Sequence, residues 1–111
     1  MTLSIPEPIA LYFAVSNGAD DTSLLQCFAA DAVVRDEAQT HRGHQAILAW
    51  LRAARKKFEY RVEPLEVSQD GGHVTVGTRV EGNFPGSPVQ LNHVFRLKDN
   101  KIRSLEIHDA L

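Results

Sequence analysis

The chain has 111 residues, a size at which one domain buries roughly 60 to 70% of its unfolded surface and holds a core without staples. Hydrophobic residues make up 43% and charged residues 23%, and a net charge of −2 excludes the basic footprint of a nucleic-acid or anionic-membrane binder. The single cysteine, Cys27, cannot form an internal disulfide, no run approaches the ~18 apolar residues of a membrane span, and Met1-Thr2-Leu3-Ser4-Ile5-Pro6 lacks the basic-then-apolar order of a signal peptide. These features read as one cytoplasmic domain over residues 1–111.

The first half reads as helical. Pro6 and Pro8 suit a helix start, where a missing amide hydrogen leaves no bond unmade. Ile9, Tyr12, Phe13 and Ser16 recur at helical spacing, and Asn17-Gly18 is a stop. Asp20 or Asp21 can cap a short second helix carrying Leu24, Leu25 and Phe28. The chain then extends from Ala32 through Val33 and Val34 to Asp36. A polar loop follows, then Arg42-Gly43, then the clearest helix of the chain over 44–58. Ile47, Leu51, Ala54 and Phe58 stand at i, i+4, i+7 and i+11, and Leu48 and Trp50 widen the stripe. Arg52, Arg55, Lys56 and Lys57 near its end read as a solvated face that complements the helix dipole.

The second half alternates with period two. Tyr60, Val62, Leu65 and Val67 make a strand with a bulge or edge at Pro64. After the turn Asp70-Gly71-Gly72, Val74, Val76, Thr78 and Val80 make the next. A longer loop, Asn83 to Pro88, leads to Leu91, His93, Phe95 and Leu97. The turn Lys98-Asp99-Asn100-Lys101 leads to a last strand from Ile102 to Ile107. Helices followed by an antiparallel meander predict an α+β domain, with helices on one face of a curved sheet and a pocket in the resulting cone.

Four residues can carry chemistry. Asp36 ends an extended segment beside an apolar helix face, where burial raises a carboxyl pKa toward that of a base; the plainer role is a cap or a salt bridge with Arg35 or Arg42. His93 lies in an apolar stripe, either as a satisfied core histidine or as an imidazole held neutral in a pocket. Tyr12 lies on the inner stripe of the first helix and needs a hydrogen-bond partner, from a ligand or from the sheet. Asp109 shares the face of Leu105 and Ile107, at a pocket mouth or as a frayed end. His41 and His44 lack the partners of a metal site, so no metal is expected. No phosphate loop or nucleophile elbow is present, and Cys27 reads as a small core residue.

The order Tyr12…Asn17-Gly18-Ala19-Asp20, Phe28-Ala-Ala-Asp-Ala-Val-Val-Arg-Asp36, Arg42-Gly43-His-Gln-Ala-Ile47 and His93-Val-Phe-Arg-Leu97…Lys101-Ile102 resembles the SnoaL-like branch of the nuclear transport factor 2-like superfamily over nearly the whole chain. The resemblance implies three N-terminal helices packed on a curved, mostly antiparallel sheet around an apolar pocket, and a homodimer through the outer sheet face. It sets Asp36 where ketosteroid isomerase carries its base and Tyr12 where that enzyme has its oxyanion tyrosine. That enzyme's second donor, a protonated aspartate, is a known case of pKa tuning. Its place falls on His93 or, in an ungapped register, on Asn92; alternation favours His93. Asp109 falls near an acid of the polyketide cyclases. Phe84, in a loop like that of other members, covers the pocket or packs at the dimer seam, the second being the more usual.

These readings give an expected activity: an isomerase, cyclase or dehydratase without cofactor, acting on a small hydrophobic carbonyl compound. Asp36 is its base and Tyr12 and His93 its hydrogen-bond donors, with Trp50, Phe58, Leu91, Phe95, Leu105 and Ile107 lining the pocket. The alternatives are a non-catalytic dimeric module for a small ligand, and a protein-docking domain using the outer sheet. Fold alone does not choose among them.

Overall fold

The computed structural model describes residues 4–110. The reading of Met1-Thr2-Leu3 as lacking a leader lies outside the described residues. Helix α1, Glu7–Ser16, starts with Pro6 as its cap and Pro8 in its first turn, and Asn17 ends it. A 3-10 turn, Asp21–Ser23, is capped by Asp20, whose carboxylate accepts from the Thr22 amide at 3.0 Å. Helix α2, Leu24–Cys27, is a single turn. Phe28 is therefore not part of the second helix, as its spacing suggested, but the first residue of strand β1, Phe28–Asp36.

The larger departure comes next. The polar loop expected after Asp36 is a hairpin, in which Asp36 pairs with Gln39 and strand β2, Gln39–Arg42, runs back along β1. The third helix, α3 (His44–Lys57), follows that hairpin. The three helices are therefore not consecutive at the N-terminus; two strands stand between the second and third. Gly43 joins β2 to α3 with φ 86° and ψ 165°, a region essentially restricted to glycine.

Strands β3 (Tyr60–Asp70), β4 (His73–Gly82), β5 (Val89–Lys98) and β6 (Lys101–Asp109) follow as an antiparallel meander. The six strands form one sheet in the order β2-β1-β6-β5-β4-β3, with β1 parallel to β6. Pro64 lies at a register shift on the edge strand β3, where its missing amide hydrogen is tolerated. Further register shifts fall within β1 and at Arg96–Leu97 of β5, and such bulges bend a sheet. The helices cover the sheet's inner face, burying Ile9, Tyr12 and Phe13 of α1 and Ile47 and Leu51 of α3 against Val34, Val76, Phe95 and Leu105.

Two polar contacts lock the end of α1. The Asn17 amide group donates to the Val62 carbonyl at 2.8 Å and accepts from the Val62 amide at 2.7 Å. One side chain thus pairs like a strand residue with the open edge of β3, a site otherwise available to foreign strands. Arg55 of α3 donates to the carbonyls of Ser16 and Val15 at 2.6 and 3.2 Å. Arg52 grips Asp21 through two hydrogen bonds of 2.7 and 3.0 Å, which hold that carboxyl below its usual range. The basic end of α3 is thus not simply a solvated face: two of its arginines tie α3 to the N-terminal segment. No helix of the described residues is long and apolar enough to cross a membrane.

Candidate functional site

A cavity of about 830 Å³ opens between α1, α3 and the concave face of the sheet. Each strand delivers side chains to it by alternation. On β1, Ala32 and Val34 are buried and Asp36, two residues on, reaches the cavity where the sheet emerges from the core. On β5, Leu91 and His93 line it while Asn92, pointing to the opposite face, does not. On β6, Ile107 and Asp109 line it, with Asp109 directly across from Leu91 at the mouth. Tyr12 and Ser16, one turn apart on α1, complete the floor.

The four residues singled out from the sequence, Tyr12, Asp36, His93 and Asp109, therefore share one cavity. Trp50, Phe58, Leu91 and Ile107 line it as well. Phe95 and Leu105 do not; both are fully buried one step further along their strands. Phe95 fails to reach the cavity because α1 closes over it, with the rings of Tyr12 and Phe13 packed edge-on at 5.7 and 5.8 Å between centroids. Phe84 lies at the cavity, edge-on to Phe58 at 5.9 Å, which is the less usual of its two expected places. The lining is also more polar than the expected apolar pocket: Ser16, Glu37, Lys57, Tyr60 and His108 join the four.

Asp36 is half-buried and accepts a hydrogen bond from the Trp50 indole nitrogen at 3.1 Å. Burial raises its pKa above the usual carboxylate range, the Trp50 N–H pulls it back, and the neighbouring Glu37 carboxylate pushes it up again. Among the described residues it forms no ion pair with Arg35 or Arg42; Arg35 reaches Glu106 instead, at 4.0 Å. The plainer role, a cap or salt bridge, does not describe this carboxyl.

His93 is 3% exposed, and burial lowers its pKa to about 4, so it is neutral at pH 7. Its ring lies beside Tyr12 at 6.1 Å and Phe13 at 5.4 Å between centroids. Its Nδ1 is 3.4 Å from the Thr78 hydroxyl, which in turn donates to the Leu91 carbonyl at 3.1 Å. Tyr12 is 3% exposed, and burial drives its phenol strongly upward, so it is a donor at any working pH. The Ser16 hydroxyl, buried in the same floor one turn from Tyr12, lies close enough to that phenol to offset part of the rise, yet makes no hydrogen bond of ordinary length among the described residues. A buried polar atom left unpaired in a cavity wall is a place for a ligand to bond.

Ser16 and Thr78 both stand within the periodic stripes of their elements and bear hydroxyls where neighbours are apolar. That mismatch is the signal that would have marked them. Tyr60, also drawn upward by burial, is hidden by its position at a strand start. Cys27 is buried and its thiol is raised to about 11, which leaves it inert. Among the described residues no group of three or more His, Cys, Asp or Glu is placed to hold a metal ion.

A curved six-stranded sheet, helices on its inner face and a cavity between them define a domain of the nuclear transport factor 2-like kind. Residues 9–105 match the SnoaL-like domain, and the chain belongs to that family. It is similar over 94% of its length to 95% of a protein from Sinorhizobium meliloti, provisionally assigned as a polyketide cyclase, at 44% identity and a TM-score of 0.90. It also resembles a Catenulispora acidiphila protein of ketosteroid isomerase-like fold, solved with trimethylamine. There identity is 25% and the TM-score 0.84, over 97% of this chain and 88% of that one. The fold recurs at 23% identity in SalBIII, an epoxide hydrolase/cyclase-like enzyme of salinomycin pyran-ring formation, with a TM-score of 0.78 over 95% of this chain and 89% of that one. No curated protein matches the chain.

Proposed function

We propose that this protein is an acid–base enzyme of the isomerase, cyclase or dehydratase type, acting on a small hydrophobic carbonyl compound. The observation that carries the proposal is Asp36: a carboxyl facing a large cavity, its pKa raised by burial, hydrogen-bonded by Trp50 and, among the described residues, paired with no arginine. In the proposed step the Asp36 carboxylate removes a proton from the carbon α to the substrate carbonyl. The C–H electron pair becomes the C=C bond of an enolate, whose negative oxygen accepts a hydrogen bond from Tyr12. The enolate then takes the proton back at another carbon; or its carbon attacks a carbonyl carbon to close a ring, the C=O π pair moving to oxygen, which takes the proton from Asp36; or it expels a β-leaving group that departs with the bonding pair and takes that proton. A positioned base contributes about 10²–10⁴-fold and a buried donor such as Tyr12 about 3 kcal/mol. Asp109 at the mouth is proposed as a further acid, and Phe58 and Phe84 as walls for the apolar part of the substrate.

Proton transfer, ring closure and elimination through an enolate change no overall oxidation state and call on no cofactor. The proposal includes a homodimer through the outer sheet face, where Thr75, Asn92 and Val94 form an uncharged patch between Glu66 and Glu106. Capture of a ligand without chemistry would not require a base raised in this way, and the Asp36 environment favours the enzyme.

The test is α-proton exchange of 2-tetralone in D₂O, followed by proton NMR. Asp36→Asn is expected to lower the enzyme-dependent exchange by at least about 100-fold, with an unchanged circular dichroism spectrum. Equal exchange by the variant would overturn the proposal.

A further inference from the structure

His93 is the one member of the cavity floor whose hydrogen-bonding sense depends on where its proton sits. The sequence expectation made it a second donor to the enolate. The Thr78 hydroxyl bears on this, because it touches two groups and has one hydrogen. It stands 3.1 Å from the Leu91 carbonyl and 3.4 Å from His93 Nδ1, with both Thr78 and His93 almost fully buried. A carbonyl oxygen has only lone pairs to offer. If the hydroxyl donated to Nδ1, its own lone pairs would face the Leu91 oxygen at 3.1 Å with no proton between them. If it donates to Leu91, its lone pair receives an N–H from Nδ1, and both contacts are bonded. Only the second arrangement leaves no buried acceptor against an acceptor.

We infer that Thr78 holds His93 as the Nδ1–H tautomer, so that Nε2 presents a bare lone pair to the cavity and the site takes a ligand bearing a hydroxyl as well as a carbonyl. Among the described residues no hydrogen bond reaches Nε2, and His93 lines the cavity beside Tyr12. Tyr12 donates and His93 accepts. Two neighbouring groups of opposite sense fit a hydroxyketone or the enol of a 1,3-dicarbonyl compound: the carbonyl or enolate oxygen on Tyr12, the hydroxyl on Nε2. A plain ketone would leave Nε2 unpaired. Thr78 is thus a positioning residue, and His93 a hydroxyl acceptor rather than an oxyanion donor. The substrate class rests on the function proposed above; the tautomer does not.

The tautomer is read directly from the imidazole nitrogen resonances of ¹⁵N-labelled protein at pH 7, without substrate. The expected result is a protonated Nδ1 and an unprotonated Nε2 for His93. Thr78→Ser, which keeps the hydroxyl, should preserve that pattern, and Thr78→Val should shift the proton toward Nε2. A wild-type His93 with its proton on Nε2 overturns the inference, as does Thr78→Ser losing the pattern. Should Thr78→Val not fold, the wild type and Thr78→Ser still decide.

Binding is read with 2-naphthol and 2-methoxynaphthalene by fluorescence titration. The hydroxyl compound is expected to bind roughly fivefold more tightly, the worth of one net hydrogen bond, and His93→Phe to abolish the difference. Equal affinities in the wild type overturn the ligand class. Asp36→Asn should alter neither the tautomer nor the naphthol preference, so failure of the proposed reaction and failure of this inference are separable.

Discussion

A carboxyl becomes a base at neutral pH through its surroundings, and Asp36 shows two of them opposed. Removal from water raises its pKa, and the Trp50 indole N–H, 3.1 Å away, lowers it. Burial wins, since the net direction is upward. Trp50→Phe deletes the N–H and keeps an apolar ring over the carboxylate. A hydrogen bond to a charged group is worth ~1.5–3 kcal/mol, and one pH unit about 1.4 kcal/mol. The acid limb of the pH–rate profile for 2-tetralone exchange should therefore move to higher pH by about one unit or more in the variant. An unmoved limb, or one moved to lower pH, would show that Trp50 does not tune the base. The inward direction of Asp36 was legible from Ala32, Val34 and Asp36 at period two. Its partner was not, because Trp50 is 14 residues away on a helix whose docking depends on the hairpin between them.

That hairpin shows what makes an element legible. The turns 37–38 and 99–100 are both two-residue hairpin loops with positive φ at each residue: 52° and 64° at Glu37 and Ala38, 53° and 62° at Asp99 and Asn100. Asp and Asn tolerate the left-handed region, so the second turn announced itself; Glu and Ala do not, so the first read as a loop. Strand β2 was missed for the same reason, being short and polar with only His41 partly buried. The strands β3 to β6 and the helix at 44–57 carry strong periodicity and were legible to within a few residues. Arg55 and Asn17 gave no periodic signal, since their partners are backbone groups about 40 residues away. The strain at Glu37 and Ala38 can be relieved. The double substitution Glu37→Asn, Ala38→Gly supplies the residues that this turn geometry favours, and should raise stability by about 1 kcal/mol. A higher urea midpoint at unchanged slope is the expected result, and an equal or lower midpoint would show that the turn is not strained. Both residues line the cavity, so the strain lies at the site's edge, where strained backbone tends to collect.

At the scale of the whole molecule, the closure of α1 over the sheet sets the state of the cavity floor. Tyr12 and Phe13 of α1 pack on His93 and Phe95 of β5, and by excluding water they hold the imidazole at a pKa of about 4. This links folding to pH. Above pH 6.5 the imidazole is neutral in both folded and unfolded chains, and its contribution to stability is complete. Between pH 6.5 and about 4 the unfolded chain takes up a proton that the folded one refuses, and stability falls. A difference of about 2.5 units corresponds to a loss of about 3 kcal/mol once the pH is below both values. Asp36 acts with the opposite sign: its raised pKa favours the folded state below the unfolded carboxyl value, and that advantage is lost as pH rises through its folded pKa. The two are separated by comparing the pH dependence of the wild type with that of His93→Phe, which leaves Asp36 in place and removes the titrating imidazole together with its contact to Thr78. Urea unfolding of both proteins at pH 7.5, 6, 5 and 4 should show the wild type losing about 3 kcal/mol more than the variant over that range. Parallel losses would mean that the folded protein accepts a proton at His93, and that α1 does not seal the floor against water.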